Sequence, residues 1–117
     1  MAPRPPLSAV VITLNEEENL PRCLRSLAWA EEILVVDSGS TDRTLEVAQK
    51  GGARVLHHGW EGYGQQKNWA FSQVKHSWVL FLDADEEVSP ELKAELEAFL
   101  AGNGNVEGKQ CWGADLP

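Results

Sequence analysis

The chain has 117 residues, 43% of them hydrophobic and 24% charged, the proportions of one globular domain and too few residues for two. Acidic residues outnumber basic ones by 18 to 10, a formal charge of −8, which argues against a nucleic-acid binder with its basic face. No apolar run has the length of a membrane span, the start MAPRPPLSAVV has no apolar leader core, and Cys23 and Cys111 form no C-x-x-C pair, so the cytoplasm is the expected compartment.

Residues 1–7 hold three prolines and read as a loose arm. Ser8 to Leu14 (SAVVITL) is short, apolar and β-branched, the pattern of a buried strand. Leu20, Cys23, Leu24, Leu27 and Ala28 then recur at helical spacing, and Pro21 restricts the start of that helix to its own neighbourhood. Ile33 to Val36 is a second strand, ending at Asp37. In the turn SGSTD, Ser40 or Thr41 is placed to cap the next helix, which runs to Lys50 and stops at Gly51-Gly52. Arg54 to His57 is a third, weaker strand, and GWEGYGQ is a glycine-rich loop. Gln65 to Val74 reads as a helix with Trp69, Ala70 and Val74 inward. Trp78 to Leu82 is the fourth strand. Ser89 caps a last helix with Pro90 in its first position and an apolar stripe of Leu92, Leu96, Phe99 and Leu100. One domain over residues 8–101 follows, and 102–117 reads as an irregular tail.

Strands that are apolar throughout and alternate with helices indicate an α/β fold, with four mainly parallel strands covered by helices on both faces and right-handed crossovers. In such a sheet ligands bind beyond the carboxyl ends of the strands, where the strand order reverses. The polar residues at three strand ends, Asn15-Glu16, Asp37 and Asp83-Ala84-Asp85, should therefore converge. VLFLDADEEVSPE drives four apolar residues into a pair of aspartates, and carboxylates beside hydrophobic residues are costly unless a cation or hydrogen bonds compensate. Plainer readings exist. Asp37 serves equally as the cap of its turn, and Asn15 as a helix cap paired with Glu18. Glu16, Glu17 and Glu18 suit a first helical turn. His57 and His58 have no partner at metal-ligand spacing and read as structural or exposed. Lys67 is either a surface lysine or a contact for an arriving phosphate.

Together, VVITLNEEENLPRCLRSL, EILVVDSGSTDRT, GYGQQKNWA and WVLFLDADEEVSPEL resemble the family-2 glycosyltransferases of the GT-A fold, in particular the bacterial enzymes that add a sugar to the lipopolysaccharide core. The likeness runs from Ser8 to Leu100. It implies a Rossmann-like nucleotide-sugar-binding half. Thr13, Leu14, Asn15 and Glu16 would surround the nucleotide, and Asp37, with Gly39, Ser40 and Asp42 in its motif, would accept a hydrogen bond from the base. Many relatives carry a second aspartate after the first; this chain has Ser38. By the same resemblance Lys67 reaches the nucleotide or its diphosphate, and Asp83 and Asp85 form a D-x-D that holds Mg2+ or Mn2+. The implied partners are a UDP-linked sugar and a glycan or lipid-linked acceptor, the latter drawing the protein to the cytoplasmic face of the inner membrane. An anionic protein and an anionic diphosphate meet across such a cation. The family's general base lies downstream of the D-x-D, in an acceptor-binding half with no counterpart in 102–117. The catalytic base is thus unassigned, with Glu86 and Glu87 the nearest carboxylates, and the chain is expected to be the donor half of a longer enzyme and poorly active alone.

Three rivals share features. A receiver-type signalling domain needs its acid pair after the first strand and a lysine after a fifth. A haloacid-dehalogenase-type phosphatase opens with its D-x-D and has a small hydroxyl or valine where this chain has Glu87. An inactive nucleotide-binding remnant has no motif against it.

Overall fold

The computed structural model describes residues 5–76, 78–103 and 110–112. The elements are β1 (Leu7–Thr13), α1 (Leu20–Ser26), β2 (Glu32–Asp37), α2 (Thr44–Lys50), β3 (Arg54–His57), α3 (Tyr63–Gln73), β4 (Trp78–Asp83), α4 (Pro90–Asn103) and β5 (Gln110–Trp112). The sheet order is β3-β2-β1-β4-β5 and every pair is parallel. The α/β architecture with a parallel sheet is the one the sequence pattern indicates.

Strand alternation divides the core in two. On one face Ala9, Val11, Val35, Leu80 and Leu82 pack with Leu20, Cys23 and Leu24 of α1, Ala48 of α2, and Leu96 and Leu100 of α4. On the other, Val10, Leu34, Val36, Val79 and Phe81 pack with Ala70 and Val74 of α3. Each fully buried valine or leucine is worth roughly 1.5–3 kcal/mol, which makes these strands the main source of stability.

Several local features differ from the sequence reading. Neither Ser40 nor Thr41 caps α2; the helix starts at Thr44, whose N–H donates to the Asp42 carboxylate at 2.9 Å. Asn15 does not cap α1 either, which starts at Leu20 after an Asn19 whose side chain makes no cap bond. Helix α3 begins at Tyr63, two residues before the expected start, after Gly62 at φ 108°. Ser89 caps α4 as anticipated, accepting from the Leu92 N–H at 3.0 Å. At Gly51-Gly52 the two glycines have separate reasons. Gly52 adopts φ +84°, whereas a Cβ on Gly51 would lie 2.6 Å from Leu24 Cδ1, where α2 closes on α1.

The segment expected to be an irregular tail contains structure. Helix α4 reaches Asn103, and Gln110–Trp112 adds a fifth strand against β4, with Trp78 opposite Gln110. Three residues are too few to show a period, and the open edge of β4 is what recruits them. Residues 104–109 and 113–117 lie outside the described residues. The connection through α4 also departs from the uniform right-handed rule. It moves the same way across the sheet as the connection through α3, yet α4 lies on the opposite face, so the two have opposite hands. The edge-on contact of Phe99 with Trp78 joins α4 to that face.

Candidate functional site

The strand order reverses at β1, which lies between β2 and β4. Thr13 is opposite Asp37, and Ile12 is opposite Asp83. All three strands thus end at one edge, but because the registers differ by one residue, Asp37 projects to the α1/α2 face and Asp83 to the α3 face.

Asp37 is 1% exposed. Its Oδ1 accepts from Thr13 Oγ1 at 2.7 Å and Ser40 Oγ at 2.5 Å; its Oδ2 accepts from the N–H groups of Gly39 at 3.0 Å and Ser40 at 2.7 Å. A carboxylate offers about four lone-pair sites, and all are used within the protein. Burial works to raise the pKa of Asp37, but the bonds from Ser40, Thr13 and Gly39 outweigh it and hold the carboxyl below its ordinary range. Gly39, at φ +123°, turns the chain back so that both N–H groups reach it.

Two hydroxyl relays join the loop after β1 to the loop after β2. The Asn15 N–H donates to Ser40 Oγ at 2.8 Å, and that hydroxyl donates to Asp37. The Glu16 N–H donates to Thr44 Oγ1 at 2.8 Å, and that hydroxyl donates to Asp42. Asn15 adopts φ 56° and its side-chain oxygen accepts from the Thr41 N–H at 2.8 Å. The local hydrogen bonds expected of a helix cap are thus spent across loops.

On the α3 face, Asp83 Oδ1 accepts from the hydroxyl of Tyr63. That bond, with burial and the charges of Asp83, Glu86 and Asp85 behind it, pushes the Tyr63 hydroxyl up to about 12. Lys67, one turn along α3, rests its Nζ 5.1 Å from the Tyr63 ring centre and 5.8 Å from that of Phe81, a cation–π arrangement. Asp85 is exposed, and no hydrogen bond or ion pair engages it among the described residues. Glu86 is committed to the turn: its Oε1 accepts from the Asp83 N–H at 2.9 Å, and its own N–H donates to the Asp83 carbonyl at 2.9 Å. Glu87 faces Arg22 at 3.4 Å. Cys23 is the buried thiol anticipated, pushed up to about 12 by burial and the neighbouring carboxylates.

A cleft of about 330 Å³ opens on this side, lined by Ile12, Thr13, Leu14, Glu16, Ser38, Trp60 and Tyr63. Behind it Gln66 is fully buried. Its Nε2 donates to the His58 carbonyl at 2.9 Å and to Ser38 Oγ at 3.2 Å, and its Oε1 meets His58 Nδ1 at 2.7 Å. The His58 ring stacks on Trp69, centroids 4.2 Å apart, a structural role as expected. The structure therefore brings Thr13, Glu16, Ser38 and Tyr63 to the cleft, with Asp83 and Lys67 bound to its Tyr63 wall, while the Asp37 side chain is turned away. Tyr63, Gln66 and Trp60 were not recognisable as site residues; the four-residue spacing from Tyr63 to Lys67 is the signal that would have joined Tyr63 to the lysine.

No group of three His, Cys, Asp or Glu side chains among the described residues makes a self-sufficient metal cage. Asp83 and Asp85 offer hard carboxylate oxygens one residue apart, a donor set that suits Mg2+ or Mn2+ when phosphates and water complete the shell.

The family model for glycosyl transferase family 2 matches residues 8–108. A lipopolysaccharide core biosynthesis glycosyltransferase, LpsC of Rhizobium meliloti, is 39% identical over 113 residues, which cover 92% of this chain and 42% of LpsC. The structure of S. aureus TarS 1–349 superposes with a TM-score of 0.68 at 30% identity, covering 83% of this chain and 32% of TarS. Glucosyl-3-phosphoglycerate synthase of Mycobacterium tuberculosis, in complex with Mn2+, UDP and glucosyl-3-phosphoglycerate, superposes at 0.66 and 26% identity, covering 80% and 40%. The chain thus spans about two-fifths or less of each of these proteins. Motif order, sheet topology and these matches agree: the chain belongs to glycosyl transferase family 2.

Proposed function

We propose that this chain binds the donor of an inverting glycosyltransferase, a UDP-linked sugar, and serves transfer of that sugar to a glycan or lipopolysaccharide-core acceptor. The observation that carries the reading is the cleft at the reversal of strand order, with a D-x-D and a lysine on its flank. The Mn2+ and UDP in the mycobacterial synthase complex support the ligand class.

In this reading Leu14, Trp60 and Tyr63 give the base an apolar surface, and Thr13, Asn15 and Glu16 form the rim beside it. Asp37 acts from behind, holding the loop that carries Ser38. Tyr63 orients Asp83, and Lys67 supplies positive charge for the diphosphate. Asp83 and Asp85 would hold Mg2+ or Mn2+, which when bound stabilises charge on the departing diphosphate. The acceptor's general base is not assigned: Glu86 and Glu87 are occupied as described. A lipid-linked acceptor would place the protein at the cytoplasmic face of the inner membrane; no helix of the described residues is long and apolar enough to cross one.

The test is calorimetry with UDP, with and without Mn2+. Binding that needs the metal is expected; equal binding after chelation sinks the metal bridge, and no binding in either condition sinks the nucleotide site.

A further inference from the structure

Ser38 is where the cleft meets the buried network behind it, and that network fixes which hydrogen bond its hydroxyl accepts. The His58 carbonyl can only accept, so the Gln66 atom 2.9 Å from it is the amide nitrogen. The other atom is then the amide oxygen, and His58 Nδ1, 2.7 Å away, carries a proton. The second N–H of the same amide is directed at Ser38 Oγ at 3.2 Å, so the hydroxyl accepts there. Gln66 is 0% exposed and every polar atom of its side chain is used, so the relay has no alternative arrangement. Ser38 Oγ donates to no acceptor among the described residues. Its proton and one lone pair are left for whatever fills the cleft.

We propose that Ser38 meets the edge of the nucleotide base as a hydroxyl held by Gln66, with both a proton and a lone pair to offer, so that the site takes either pyrimidine. This rests on the nucleoside-diphosphate reading above and extends it from uracil to cytosine. Uracil and cytosine differ at ring position three and at the group beside it: uracil presents N–H and a carbonyl, cytosine a bare nitrogen and an amino group. A hydroxyl with a free proton and a free lone pair satisfies either edge. An acceptor-only carboxylate at the same place satisfies the uracil N–H and opposes the cytosine lone pair. The site therefore accepts both pyrimidine diphosphates.

Calorimetry with Mn2+ and UDP or CDP tests this in the wild type, Ser38→Thr and Ser38→Asp. The aspartate still accepts from Gln66, so no buried donor is orphaned. The wild type and Ser38→Thr should bind the two nucleotides within about threefold of each other, and Ser38→Asp should shift the ratio about tenfold or more toward UDP, the scale on which a mismatched polar group is rejected. The ratio cancels any general effect of the added charge on the diphosphate. An unchanged ratio in Ser38→Asp, or a strong preference in the wild type, overturns the proposal while leaving the nucleotide site standing. Failure of the wild type to bind either nucleotide overturns both. Should Ser38→Asp not fold, nitrogen-15 NMR of the wild type decides at mildly alkaline pH: a proton on His58 Nδ1 with Nε2 bare supports the relay, and the reverse tautomer overturns it.

Discussion

Asp37 and Asp83 end the two strands that flank β1, yet their carboxylates point to opposite faces of the sheet, because Asp37 stands opposite Thr13 and Asp83 opposite Ile12. One residue of register separates an acid enclosed by its own turn from an acid bonded to Tyr63 in the cleft wall. The two aspartates, similar in sequence context, should therefore respond differently to the same substitution.

Asp37→Asn should destabilise the protein by about 2–4 kcal/mol, since an amide leaves some of the four donors at Asp37 unpaired and sets its own NH2 against them. Urea unfolding measures it, and a loss below about 0.5 kcal/mol, the level of an ordinary surface change, would show that the turn closes without the charge.

The acid limb of stability should have the same origin. Asp37 and Glu32 sit below their ordinary values of 3.8 and 4.5. At Glu32 burial again works upward and is outweighed, here by the Lys75 N–H, Ser8 and Arg54. A carboxyl depressed in the folded state contributes stability that is present above its unfolded value and is lost as pH falls through the folded one. Thermal midpoints should be level from neutrality to about pH 5 and fall below about pH 4, less steeply in Asp37→Asn. An identical slope in that variant would assign the acid limb to other groups.

Asp85→Asn should leave the circular dichroism spectrum and unfolding midpoint unchanged and remove the Mn2+-dependent part of UDP binding. An exposed carboxylate with no hydrogen-bond or ion-pair partner among the described residues has nothing in the fold to release. A variant that unfolds would make Asp85 structural.

Gly51→Ala should cost about 1–3 kcal/mol, the usual range for forcing an extra group into packed space, because the new methyl meets Leu24 Cδ1 at 2.6 Å. Adding Leu24→Ala should recover part of the loss in a double-mutant cycle; strict additivity would contradict the contact.

A polypeptide of these 117 residues should transfer sugar weakly. A positioned base contributes about 10²- to 10⁴-fold, and the two carboxylates directly after the D-x-D, Glu86 and Glu87, are engaged by Asp83 and Arg22. Diphosphate release, followed with nucleotide sugars, Mn2+ and lipopolysaccharide-core acceptors, is the assay. Robust acceptor-dependent turnover would place the base within this chain and discard the binding-only remnant.

The architecture was legible because buried parallel strands write themselves as unbroken apolar runs, and SAVVITL, ILVV and WVLFL admit few other readings. The convergence of acids on one edge followed from topology. What a local pattern could not show was which way each side chain turned. Asp37 matched a ligand-binding motif, but strand parity and four donors claimed it for the turn. Asn15 matched a capping box, but the neighbouring loop offered Thr41 and Ser40. Gln66, a polar residue in a polar stretch, carries no periodic sign of burial; its role exists only once Ser38 and His58, distant in sequence, lie beside it. β5 is legible only as the partner of an edge already built.

The pair of hydroxyl relays has a dynamic consequence. Ser40 and Thr44 each receive an N–H from the loop after β1 while donating to an acid, Asp37 at the end of β2 and Asp42 in the loop that follows, so neither segment can breathe without breaking bonds in the other. Amide hydrogen exchange at Asn15, an exposed residue, should accordingly be slow and should rise and fall with that of Glu16. This side of the cleft would open as one unit, leaving any adjustment to an arriving ligand to the opposite side, where Trp60 and Tyr63 stand exposed.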